Sequence, residues 1–269
     1  MSLNSFQISH EELSVAMTLL GKSDEARGYL QSSSSLKSPE DLESRLIAAS
    51  HSLIARDLIE VSNDSGAILN ARLKKLVQAL LDNRFFIRCS KTVPGGQVFQ
   101  NYFVNQEGVV LHKHANIVVS CLEEIPDVGT AAKYSYQFLG FPQNAFVSDA
   151  PSGSINTALL QNLNGMAVTS SKESIASQLE NEGLLPEVAQ RLADDFKSSE
   201  FKGSVLKAIT NSDGQPVSKQ GFLFLKAPER FWLFEFVSEE PPLSRVFEGS
   251  FQQYNRLFQS LFDSPNKDG

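Results

Sequence analysis

Apolar residues recur along this chain at two different periods, and the switch between them predicts a protein that mixes helices and strands. Ile8, Leu13, Met17 and Leu20 share one helical face, opened by Ser9 with Glu12 three residues on and closed by Gly21. Ser32 to Ser35 reads as a solvated loop. Ser38, Pro39, Glu40 and Asp41 then place a cap, a proline and two acids where a second helix begins. Leu42, Leu46, Ala49, Leu53 and Ile54 keep helical spacing as far as Arg56. A short apolar burst at Leu58 to Val61 and a turn at Asn63 to Gly66 precede a helix from about Asn70 to Leu81. Helix is also expected over Asp127 to Leu139, Ile155 to Met166, Ile175 to Glu182, Pro186 to Lys197 and Ser250 to Phe262.

Between these helices the period shortens to two. Arg84 to Ile125 reads as strands broken at Pro94, Gly95 and Gly96, and Glu200 to Phe247 reads as strands broken at Asp213 and Gly214. The two blocks follow the same order at an offset of about 115 to 122 residues. A single α+β design used twice is the economical explanation. The expected fold is therefore two related α+β halves about a pseudo-twofold axis, with an antiparallel sheet flanked by helices. Residues 1–140 form the first half and 155–263 the second. The turn-rich stretch 141–154, with Pro142, Pro151 and Gly153, is the seam, and the tail beyond Asp263 should fray.

Length and composition agree with a folded chain. At 269 residues it can bury roughly three quarters of its unfolded surface, and 41% hydrophobic with 20% charged residues is ordinary for a globular protein. The formal net charge of -7 weighs against a nucleic-acid partner. Neither a signal sequence nor an apolar run of spanning length is visible, so the chain reads as cytoplasmic. Cys89 and Cys121 lie in strand-like runs and read as small buried hydrophobes.

Catalytic patterns are scarce. His112 and His114 fall on one side of a strand, a spacing that can hold a metal, but the sequence supplies no third ligand pattern. The acidic pairs Glu123–Glu124 and Glu239–Glu240 point to opposite faces of an extended chain and read as solvated strand ends. Nucleophile-elbow, zinc-protease and phosphate-loop spacings are missing. The expectation is no enzyme, no cofactor and no metal.

The 19 Phe are the compositional oddity. The run from Phe231 to Phe236 is apolar on both faces, as in a central strand covered on two sides or in a strand with one core face and one recognition face. On the second reading Trp232 anchors a partner, with Phe231, Phe234, Phe222 and Phe224 around it. The function expected is then a protein-binding module, chaperone-like or adaptor-like, for an amphipathic or helical partner. The alternative is a winged-helix DNA-binding regulator built on Ser38 to Leu81, with Arg72, Lys74 and Lys75 as its basic cluster, although Asp57, Glu60 and Asp64 crowd it with opposite charge.

The layout also resembles a known family. The opening SHEELSVAMTLLG helix, LIARDLIE before ARLKKLVQALL, the strands with GVVL, and then PEVAQRLADDF, VSKQGFLFLKAPERFWLFEF and SFQQYNRLFQSLF occur in the order of the EspG chaperones of type VII secretion systems, over nearly the whole chain. That resemblance implies a cytosolic, non-enzymatic protein of quasi-twofold α+β fold that recognises the exposed tip of a helical secretion substrate.

Overall fold

A computed structural model describes residues 5–33, 39–62, 66–115, 118–142, 150–210 and 216–263. The fold is α+β, with antiparallel strands flanked by helices, and contacts divide it into two compact units.

One unit comprises residues up to 86 together with 100–127. It begins with strand β1 (Ser5–Ser9), followed by helices α1 (His10–Leu19), α2 (Ser23–Ser33) and α3 (Pro39–Ala55). A separate hairpin, β2 (Ile59–Ser62) and β3 (Gly66–Leu69), leads to α4 (Ala71–Leu81). Part of β5 (Gly96–Val104), then β6 (Val109–His114) and β7 (Val119–Ile125), complete its sheet in the order β1-β7-β6-β5. The capping box at the start of α1 is present: Ser9 Oγ accepts from the Glu12 amide at 3.1 Å, and Glu12 Oε2 accepts from the Ser9 amide at 2.8 Å. Asn70 caps α4 by accepting from the amides of Arg72 and Leu73. Leu13, Met17, Leu53, Leu73, Leu76 and Val77 bury the inner faces of α1, α3 and α4 against Ile8, Val110 and Leu122 of the sheet.

Three features of this unit differ from the sequence expectation. Ile8 lies in a strand paired with β7, not on the first helix, because the cap at Ser9 ends the extended segment immediately beyond it. Helix α2 was not legible, since among its described side chains only Ala26 and Leu30 are buried. The apolar burst at Leu58 to Val61 and the residues after the turn pair as a hairpin, so the expected helix-turn-helix is a helix, a hairpin and a helix. The loop expected at Ser32 to Ser35 and the cap at Ser38 fall partly or wholly outside the described residues, as does the centre of the turn at 63–65.

The other unit holds residues 87–99 and those from 128 onward. It contains most of β4 (Phe85–Val93), α5 (Val128–Leu139), β8 (Gly153–Asn156), α6 (Thr157–Thr169), α7 (Lys172–Asn181), α8 (Pro186–Ser198), β9 (Phe201–Thr210), β10 (Pro216–Lys226), β11 (Phe231–Glu239), β12 (Pro242–Glu248) and α9 (Phe251–Asp263). Its strands run in the order β4-β9-β10-β11-β12-β8. Pro186 opens α8 at the first turn, where a missing N–H costs nothing. By its contacts α5 belongs here, packed on α9. Within the stretch 141–154, residues 143–149 lie outside the described residues, and Gly153 and Ser154 open β8, which also takes Ile155 from the expected helix. No helix among the described residues is long and apolar enough to cross a membrane.

Candidate protein-docking surface

The five aromatic residues singled out by the sequence all lie in the second unit, and all are buried. Phe231 and Trp232 are 0% exposed, Phe222 and Phe234 1% and Phe224 2%. Alternation along β10 and β11 places Trp232 and Phe234 on one face and Phe231, Phe222 and Phe224 on the other. Trp232 and Phe234 pack with Leu225 and Val246 under α6, α7 and α8, among Leu163, Ile175, Leu179 and Leu192. Phe231 stacks on Phe141 with centroids 4.1 Å apart, while Phe222 and Phe224 meet Tyr254 and Phe141 edge-on at 5.6 and 5.0 Å. Both faces of β11 are thus covered from Phe231 to Phe234, whereas Phe236 and Val237 further along the strand are 39% and 45% exposed, and a partner reaches none of the five buried rings without opening the core.

Two polar side chains inside this core have close partners. The Trp232 indole N–H donates to Asp195 Oδ2 at 2.7 Å, and Arg230 Nε lies 3.1 Å from the same oxygen. Burial pushes the Asp195 carboxyl above the usual carboxylate range, opposed by the indole and the guanidinium. Tyr254 donates to Ser135 Oγ at 2.7 Å beside Cys89, whose thiol burial raises far above its ordinary value. Both cysteines are free and buried.

Apolar side chains do reach solvent on α3. Its inner residues Ala49 and Leu53 are buried, whereas Ile47 is 51% and Ile54 41% exposed. These two lie on one outer face with His51 between them, one helical turn apart in each step. A surface helix ordinarily carries polar residues there. Ion pairs fix the helix beneath the stripe: Arg45 pairs with Glu11, Arg56 Nη1 lies 3.0 Å from Glu12 Oε1, and Ser52 Oγ donates to the same oxygen at 2.6 Å. Arg56 Nη2 also donates to the Gln7 carbonyl at 2.7 Å. The next element, β2–β3, adds Val61 and Ile68, 67% and 45% exposed. Val61 shares a face with buried Ile59, and Ile68 lies on the opposite face with Glu60. The signal for this surface was present as the surplus of Ile and Ala in α3, more than one buried face can use.

The other sequence candidates resolve differently. His112 is buried, with Nε2 2.9 Å from Ser120 Oγ, and His114 stands beside it and His10 at centroid distances of 5.2 and 5.5 Å. Among the described residues no group of three or more His, Cys, Asp or Glu is arranged to hold a metal. Glu124 pairs with Lys75 at 2.7 Å across α4 and β7. Arg72 lies over the Phe6 ring at 5.2 Å, so two of the three cations in the basic cluster have partners within the unit.

No protein-family model and no curated protein matches the chain. An α+β architecture with a large antiparallel sheet is shared with a solved structure, that of the Mycobacterium tuberculosis type VII secretion system chaperone EspG5 in complex with a PE25–PPE41 dimer. The TM-score is 0.69 at 9% identity, covering 96% of each chain. At that identity the likeness is one of fold, and it is the fold that the resemblance in sequence implied.

Proposed function

We propose that this protein is a non-enzymatic, cytoplasmic binding module, chaperone-like in action, that docks a helical partner protein. The observation that carries the reading is the pair of exposed isoleucines, Ile47 and Ile54, on the outer face of α3 with His51 between them. A partner helix presenting apolar residues at three- and four-residue intervals would lie along such a stripe as in helix-in-groove recognition. The fold shared with EspG5, a chaperone solved with a bound protein dimer, supports a protein partner. In this reading Trp232, Phe234, Phe231, Phe222 and Phe224 keep the second unit rigid and do not touch the partner.

The test is a pair of substitutions, Ile47→Asp and Ile54→Asp, in the full chain, with partners captured from the host and identified by mass spectrometry. Exposed positions should leave stability within about 0.5 kcal/mol. The expected result is a helical partner recovered with the unaltered chain and lost with the double variant. Recovery of the same partner at undiminished yield by the variant would remove α3 from the interface.

A further inference from the structure

A small cavity of about 240 Å³ opens in the second unit beside β9. Leu160 of α6, Phe196 of α8, Leu225 of β10 and Phe234 of β11 supply most of its apolar lining, and Thr92 of β4 with Lys202 and Ser204 of β9 its polar groups, Ser204 Oγ being 2.9 Å from Ser90 Oγ. Lys202 pairs in register with Leu225 and lies on the face covered by α8. Its ammonium sits 5.1 Å above the Phe196 ring centroid, and burial alone holds its pKa below the usual lysine range. Among the described residues it forms no hydrogen bond and no ion pair.

The contrast with Lys226, on the next strand, shows what is missing. Lys226 is only 5% exposed, yet its Nζ lies 2.7 Å from Glu200 Oε2 and 2.6 and 3.4 Å from the carbonyls of Ala227 and Pro228. Its charge is neutralised inside the fold. The Lys202 charge has lost part of its water and gained only an aromatic face, which replaces a modest fraction of the lost hydration. An anion entering the cavity would supply the absent counter-charge.

We propose that this cavity binds a small monocarboxylate with a short apolar tail, its carboxylate on Lys202 and its tail among Leu160, Leu225 and Phe234. One cation matches one negative charge, and the apolar walls disfavour multiply charged anions such as phosphate. The volume is below the roughly 300–1,000 Å³ of sites for drug-sized ligands, which sets the ligand at a few carbons. This inference is independent of the docking role proposed for α3.

Titration calorimetry on the full chain with hexanoate, 1-hexanol and hexylamine separates charge from tail. Hexanoate should bind about tenfold tighter than hexanol, the range of one charge-assisted contact, and hexylamine should not bind. Lys202→Met keeps the apolar stem and should reduce hexanoate to the level of hexanol. Leu160→Phe, which fills the cavity, should abolish both. With the unaltered chain, hexanoate affinity should fall as pH rises through the lowered Lys202 value, a readout that needs no variant. Equal binding of hexanoate and hexanol, no binding of either, or full hexanoate binding by Lys202→Met each overturns the proposal.

Discussion

Trp232 combines a wholly buried ring with an indole N–H that ends on the Asp195 carboxyl. Burial raises the Asp195 pKa, so between the unfolded and native values the native state binds more protons than the unfolded one. Its contribution to stability is therefore fully present below the unfolded value and is lost as pH rises through the native one. Urea unfolding across mildly acidic pH should show this downward slope, and Asp195→Asn, which retains an oxygen for the indole, should flatten it. An unchanged slope in the variant would place the proton elsewhere. Gly249 makes a sharper steric case. A Cβ there would lie 2.1 Å from the Phe231 ring, which cannot retreat because it is stacked on Phe141. Gly249→Ala should cost about 1–3 kcal/mol by overpacking, read as a lower urea midpoint at unchanged slope.

At the scale of elements, local chemistry was the reliable guide. Ser9 with Glu12, Asn70, and Pro186 marked the starts of α1, α4 and α8 because a cap or a first-turn proline acts through the nearest few amides and needs no distant partner. Ser9→Ala should lower stability by about 0.5–2 kcal/mol, the usual loss of an N-cap, measurable by denaturant titration. A larger loss is excluded on this account, since the Glu12 carboxylate keeps Arg56 and Ser52. The elements that escaped the sequence are the short or weakly patterned ones. Strands β1 and β8 have five and four residues, too few for alternation to register, and each is a strand only because it pairs with the last strand of its meander. Helix α2 buries so little of itself that its sequence is nearly all polar.

At the scale of the whole chain, each unit carries one cysteine, Cys121 in the first and Cys89 in the second, and burial raises the thiol pKa of both. Each thiol is thus a native reporter of its own unit. Alkylation of the native protein should be slower by about a hundredfold or more than in urea, and single Cys→Ser variants should assign any early-opening unit. Fast native labelling of Cys89 would contradict its burial. In each unit a short strand that precedes the meander in the chain, β1 or β8, pairs with the meander's last strand, β7 or β12. Taken alone, the amino-acid order determined the helices with clear starts, the strand runs and the mixed α+β class, because these follow from backbone sterics and from periods of two and 3.6 residues. Only the tertiary structure decided which apolar faces meet water. Period two shows that β11 is greasy on both sides and is silent about α5, α9 and α6–α8 closing over it, whereas α3 looks like any amphipathic helix until its partners are known. Exposure is set by residues distant in the chain, and that is why Trp232 became core and Ile47 surface.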